Sequence, residues 1–143
     1  MSLQVETSIV VHAPADQVRD VYADYTLWPH MFPTISAVRL TGHRGSTQLL
    51  EVDHIEGTVS NELTLTDEGE LLLREVKRRY DAVFISRFDQ VPGGTLFTVR
   101  GDFAFKGAAR LLAPVLGWYV RRQMRRLQLL PVKAEAEARR FSQ

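Results

Sequence analysis

Residues 24–33 read Asp24-Tyr25-Thr26-Leu27-Trp28-Pro29-His30-Met31-Phe32-Pro33, and the reading of this segment decides the fold. Each proline lacks an N–H and fixes φ, so two of them in ten residues interrupt any single regular element. With Tyr25, Trp28 and Phe32 between them, the segment reads as a tight apolar corner that braces a short second helix against a large hydrophobic surface. Upstream lies an alternating strand (Val5, Thr7, Ile9, Val11), then Ala13-Pro14 and a short amphipathic helix. Downstream comes a nearly unbroken series of strands, followed by one long helix. That order predicts a sheet wrapped around a helix, an arrangement that encloses a cavity.

The first strand is expected to end near His12, and Pro14 suits the first turn of the following helix, where its missing N–H costs nothing. Val18, Val21, Tyr22 and Tyr25 recur at three- and four-residue spacing and form one buried stripe, with Asp16, Arg19, Asp20 and Asp24 opposite. Four strands are predicted after the corner, at Ser36–Thr41, Thr47–Ile55, Thr58–Thr66 and Leu71–Val76. Their turns are Gly42-His43-Arg44-Gly45, Glu56-Gly57 and Asp67-Glu68-Gly69. Two longer strands, Val83–Gln90 and Thr95–Phe105, flank Pro92-Gly93-Gly94. The last helix starts after Gly107 and runs towards Phe141. Leu112, Leu116, Tyr119, Val120, Met124, Leu127, Leu130 and Ala134 share one of its faces. Pro114 and Pro131 lie within the pattern, and each marks either a kink or a break between segments.

With 143 residues, the chain is expected to be one domain over 1–143, able to bury roughly 68–70% of its unfolded surface. Cysteine is absent, which excludes disulfide and thiolate chemistry. A net charge of +1 carries no argument for nucleic acid. The N-terminus lacks the pattern of a signal peptide, and no apolar run reaches the ~20 residues of a spanning helix. These features give a cytoplasmic protein as the expectation. His12, His30, His43 and His54 are scattered without paired ligand spacing, so neither a metal site nor any other cofactor is expected. Lys77-Arg78-Arg79-Tyr80 is too short a basic run to bind nucleic acid, and reads as a solvated loop or as the rim of a pocket.

Taken in order, these elements resemble the START-like (SRPBCC) superfamily with the helix-grip fold. That superfamily includes polyketide cyclase/dehydrase proteins, bacterial aromatase/cyclases, coenzyme Q-binding proteins, START lipid-transfer domains and birch pollen allergen relatives. The residues that carry the resemblance are Ser8-Ile9-Val10-Val11-His12-Ala13-Pro14 with Val18 and Val21, the Asp24…Trp28-Pro29…Phe32-Pro33 corner, and Val91-Pro92-Gly93-Gly94-Thr95. The resemblance implies an α+β fold in which a curved antiparallel sheet of about seven strands, with two short helices after strand 1, grips the C-terminal helix. A lipophilic ligand lies between sheet and helix. Such scaffold residues separate functions poorly. A carrier of a lipid, quinone or polyketide is the first reading. A polyketide aromatase/cyclase or dehydratase, promoting aldol condensation and dehydration, is the second.

Alternation along the strands nominates the cavity wall. Phe97, Val99, Phe103 and Phe105 fall on one face of the last strand, and Phe84, Ser86 and Phe88 on one face of the strand before it. Phe84, Phe88, Phe97, Val99 and Phe103 are therefore expected to face Leu112, Leu116, Val120 and Met124 across the ligand. Polar candidates for the same face are His54, Asn61 and Arg74, although the opposite register would place Glu75 inside instead. Arg74, Tyr80 and His54, with Tyr22 and Tyr119 behind them, are the candidates for acid/base or oxygen-polarising work. On the other side of the last helix, Leu111, Val115, Trp118 and Leu129 project with Arg122 and Arg125. Arginine interleaved with tryptophan and aliphatics marks either a membrane or protein contact or, more simply, arginine stems covering the helix.

Overall fold

The computed structural model describes residues 2–141. Seven strands form one antiparallel sheet: β1 (Ser2–Val11), β2 (Ile35–Arg44), β3 (Thr47–His54), β4 (Gly57–Leu65), β5 (Leu71–Val76), β6 (Tyr80–Val91) and β7 (Gly94–Phe105). The spatial order is β1-β7-β6-β5-β4-β3-β2, so every neighbouring pair except β1–β7 is joined by a hairpin. Two register shifts between β2 and β3, at Ile35/Ala37 and Leu40/Gly42, add the extra residues that curl an edge. Several strands run longer than alternation alone marks. β2, for example, continues through Gly42-His43-Arg44, leaving Gly45-Ser46 as its turn.

Helix α1 (Ala15–Ala23) buries Val18, Val21 and Tyr22. A 3₁₀ turn over Tyr25–Leu27 follows, and then a single helical turn, α2 (Trp28–Met31). The corner is thus more regular than its prolines imply. Pro29 lies in the first turn of α2, where no intrahelical donor is required. Asp24 caps the 3₁₀ turn by accepting from the Thr26 N–H at 3.1 Å. Trp28 is buried, and its indole donates to the Tyr22 carbonyl at 2.8 Å, which occupies an acceptor left free at the end of α1.

The start of β7 locks onto the connection between β1 and α1. Thr95 Oγ1 donates to the Ala13 carbonyl at 2.7 Å. A Cβ on Gly94 would stand 2.1 Å from the Val11 carbonyl oxygen, so no larger residue fits there. Gly93, at φ 85°, supplies the left-handed turn residue.

The chain after β7 departs most from a single helix. Gly107–Val115 is a 3₁₀ segment containing Pro114, and α3 (Gly117–Met124) begins only after a break at Leu116. One π turn over Arg125–Leu129 leads into α4 (Leu130–Phe141) without interruption. The π turn precedes Pro131, and the Leu130 N–H bonds back to the Arg125 carbonyl. Widening the helix there relieves the clash between the proline ring and the preceding turn. The extra residue also rotates the apolar face. Leu129, Val132 and Ala136 are fully buried, whereas Leu130 is 41% exposed and Ala134 faces solvent. The expected stripe therefore holds only up to Leu127; at Leu130 and Ala134 it is corrected by the phase of the π turn.

Candidate functional site

Between the inner face of the sheet and the first half of the C-terminal helix lies a cavity of about 450 Å³, within the size range of small-molecule sites. Leu73, Phe84, Phe103 and Phe105 supply its sheet wall, and Tyr22, Trp28 and Phe32 its corner. Leu116, Tyr119, Val120, Gln123, Met124, Leu127 and Gln128 supply its helix wall. Ile55, Arg79, Ala109 and Leu112 also border it. Ile55 and Leu112 are 75% and 55% exposed, which marks this side as the mouth.

The predicted wall divides into two groups. Phe84, Phe103, Leu112, Leu116, Val120 and Met124 border the cavity. Phe88, Phe97 and Val99 do not, and the expectation for these three is corrected. Phe97 and Val99 are completely buried, with Phe97 stacked on Phe88 at 5.2 Å and meeting the Tyr22 ring edge-on at 5.8 Å. The cause is α1, which packs over this half of the sheet and fills it with side chains. The open space begins beyond α1, whose Tyr22 closes its inner end.

Arg74 points outward. Its side chain is 62% exposed, 4.0 Å from Glu62, so the register is the alternative one, with Glu75 on the inner face beside Leu71 and Leu73. The physical reason is the cost of enclosing a guanidinium that cannot lose its proton. A carboxyl can be neutralised or paired. Asn61 does face inward and is 3% exposed, directly opposite Glu75 across β4 and β5. It stands behind the wall rather than on it, and its Nδ2 finds no partner among the described residues.

The polar part of the cavity is a cluster of groups from β5, β6 and the hairpin connection between them. Lys77 Nζ lies 3.5 Å from Glu75 Oε2, and these side chains keep only 10% and 17% of their surface. Lys77 Nζ also donates to the Tyr80 hydroxyl at 3.2 Å and sits 5.3 Å from the centre of that ring. With its oxygen accepting from Lys77, the Tyr80 hydroxyl directs its own proton elsewhere. Burial raises the Tyr80 phenol, against the opposing Lys77 charge, so it is a neutral donor. Burial likewise raises the Glu75 carboxyl, and Lys77 partly offsets the effect. The Lys77 ammonium is raised as well: desolvation lowers it, but the attraction of Glu75 and Tyr80 prevails. Tyr22 completes the inner side. Its phenol is pushed well up by burial and then by the Glu75 charge, with Ser86 opposing.

His54, half-buried at the end of β3, borders the same space. Its Nδ1 accepts from the Glu56 N–H at 3.4 Å. Burial and then the Lys77 charge lower its affinity for a proton, with Glu56 opposing. When the ring is neutral, acceptance at Nδ1 leaves the hydrogen on Nε2. On the helix wall, Tyr119 accepts from Gln123 at 2.8 Å, and Gln128 Oε1 is buried without a hydrogen-bond partner among the described residues. Sequence alone nominated Tyr80 and His54 but passed over Lys77, read there as loop or rim. The signal available was its position two residues beyond Glu75: alternation puts both on one face, and β5 needs to extend by only one residue.

A family model described as polyketide cyclase/dehydrase and lipid transport matches residues 2–137. No curated protein matches the chain. Among solved structures, the Zhui aromatase/cyclase from Streptomyces sp. R1128 is similar at 19% identity with a TM-score of 0.79, over 97% of this chain and 96% of that one. A START superfamily protein from Mycobacterium smegmatis is 18% identical with a TM-score of 0.64, over 95% of each chain. The di-domain aromatase/cyclase StfQ from the steffimycin biosynthetic pathway is 16% identical with a TM-score of 0.74. This chain is covered over 99% of its length but spans only 52% of StfQ. At these identities the likeness to solved structures is one of fold. The START-like, helix-grip architecture is common to all of them.

Proposed function

The chain belongs to the polyketide cyclase/dehydrase and lipid transport family, and on that premise we propose that it binds an elongated, largely apolar small molecule whose oxygenated group meets Tyr80 and Lys77. One observation carries this reading: on the sheet side of a largely apolar cavity, three enclosed polar side chains form a single connected set, Glu75–Lys77–Tyr80. An apolar body gains from leaving water in proportion to its buried area. The cluster then orients it. Tyr80 donates a hydrogen bond to a carbonyl oxygen, and the Lys77 charge behind it strengthens the donation. Glu75 balances that charge, so a neutral ketone, quinone or ester is favoured over an anion. Gln128 Oε1 is left to accept from a hydroxyl elsewhere on the ligand.

A second reading, the cyclase, rests on Glu75. A carboxylate in a desolvated setting is a stronger base than one in water. It would take a proton from the carbon between two carbonyls, while Tyr80 and Lys77 hold the resulting enolate oxygen. The enolate carbon would then attack a second carbonyl, the new alkoxide would take the proton back from Glu75, and the resulting hydroxyl would leave as water as Glu75 removes the remaining hydrogen from the same carbon.

Binding is tested with a naphthalene sulfonate dye, which should bind the native protein at one site and be displaced by quinones or other long-chain ketones. Tyr80→Phe removes one hydroxyl and should weaken a ketone about fivefold, the value of a neutral hydrogen bond, while a hydrocarbon of equal length binds as before. Equal loss for both ligands, or dye binding that no ketone displaces, would overturn the reading. Glu75→Gln separates the two functions. A carrier retains its ligand with this change, whereas a cyclase retains its substrate and loses turnover.

A further inference from the structure

We propose that the face formed by the 3₁₀ segment Gly107–Val115 and the outer side of α3 is a docking surface for an anionic lipid bilayer, placed beside the cavity mouth. Of the large apolar side chains left exposed in this fold, five fall within nine residues: Leu111 at 83%, Leu112 at 55%, Val115 at 65%, Trp118 at 67% and Tyr119 at 47%. Leu111 and Val115 stand out from the fold instead of lining a groove. Leaving such a cluster in water is costly, and clusters of this kind mark contact sites. Leu112 and Tyr119 belong both to this face and to the cavity lining.

The charge around the cluster names its partner. Between Asp102 and Glu135 the chain contains no acidic residue, while Lys106, Arg110, Arg121, Arg122, Arg125 and Arg126 all fall there. Trp118 and Arg122 lie one turn apart on α3 and share its outer side, and Arg126, in the π turn that follows, is exposed as well. Arg121 and Arg125 lie beside these residues and donate to the carbonyls of Glu6 and Ser8 on β1 at 3.2 and 3.3 Å. They cover the edge of the sheet while keeping their charge at the surface. Arg122 and Arg126 make no ion pair with a carboxylate among the described residues. Lys106 pairs with Asp81 at 2.8 Å, but protruding aliphatics and a tryptophan set beside a run of exposed arginines fit an interface that offers both negative headgroups and a deformable apolar interior. A tryptophan suits the boundary between the two.

Vesicle binding by the purified full-length protein tests this directly, because it needs no knowledge of the cavity's ligand. Phosphatidylcholine vesicles containing phosphatidylglycerol should sediment the protein, and pure phosphatidylcholine vesicles should do so at least tenfold more weakly. Trp118 should report insertion by a blue shift of its emission, against the constant signal of Trp28, which is 2% exposed. Arg122→Gln and Arg126→Gln should each lower the affinity about fivefold, the weight of one surface cation near such a membrane. Leu111→Ser with Val115→Ser should lower it tenfold or more, with an unchanged thermal melt, since both side chains are already in water. Equal binding to neutral and anionic vesicles would overturn the proposal, as would anionic binding that all these variants leave intact. Absence of vesicle binding would also overturn it, and would be decisive if the same substitutions instead abolished self-association or the binding of an acidic protein.

Discussion

Enclosing the Glu75 carboxyl beside Lys77 couples the proposed site to the pH dependence of stability. The carboxyl has an ordinary value of 4.5 and is raised by burial in the folded protein. Between those two values the native state holds a proton that the unfolded chain has released, so this group's contribution falls as pH rises through the window. His54 acts in the opposite sense, since its folded value lies below 6.5. There the unfolded chain holds the extra proton, and stability rises with pH. Glu75→Gln isolates the first effect. Relative to this variant, the parent should lose melting temperature steadily as pH rises from 4.5 towards neutrality. A flat difference over that range would mean that Glu75 is solvated, and a parent that gains on the variant would mean that pairing with Lys77 outweighs burial. The same enclosure explains why Arg74 lies outside: adjacent positions on β5 are forced to opposite faces, and the face that carries Leu71 and Leu73 must take the glutamate with it.

At the scale of elements, the π turn over Arg125–Leu129 decides which half of the C-terminal helix is core. At uninterrupted α spacing, the face of the buried Met124 would continue through Gln128, Pro131 and Glu135. The observed helix buries Leu129, Val132 and Ala136, one residue out of phase. Leu129→Ala should therefore cost about 2–5 kcal/mol, the usual range for a truncated core leucine, and Leu130→Ala no more than about 0.5 kcal/mol. Urea denaturation of the two variants measures both. Equal costs, or a larger cost at Leu130, would show that the π turn does not set this phase. The break at Leu116 matters as much for the site. A helix running straight from Gly107 would carry Leu112 along the axis of α3. The 3₁₀ segment instead turns it, with Ala109, to the cavity mouth.

Across the whole molecule, the sheet has more inner surface than its helices can cover. α1, backed by α4, closes over the half that holds Phe88, Phe97 and Val99, and the cavity lies in the space that remains. A molecule filling it binds the native state alone and should stabilise it by mass action. At a hundredfold excess over its dissociation constant, a ligand should add about 2.7 kcal/mol, a rise of roughly 5–10 °C in melting temperature for a chain of this size. A thermal-shift screen of quinones, fatty acids and aromatic polyketides measures this. A screen in which none of these classes moves the transition would count against a ligand site.

Local chemistry was sufficient for much of this. Strand alternation identified the inner faces of β6 and β7, the Trp28–Pro33 corner fixed the turn after α1, and Gly93-Gly94 located the last hairpin. Each of these signals is carried by residues a few positions apart, constrained by a period of two or by the steric limits of proline and glycine. Contacts across long stretches of chain decided the rest. Whether Arg74 or Glu75 faces inward depends on the pairing of β5 with β4 and β6, because its leucines at 71, 72 and 73 satisfy either face. Whether Phe97 lines a pocket or a filled core depends on where α1 packs. Lys77 joins the site only because the hairpin between β5 and β6 returns Tyr80 to within hydrogen-bonding distance of it. Burial is a property of the assembled sheet and helices, and it is burial that turns three ordinary side chains into one connected polar site.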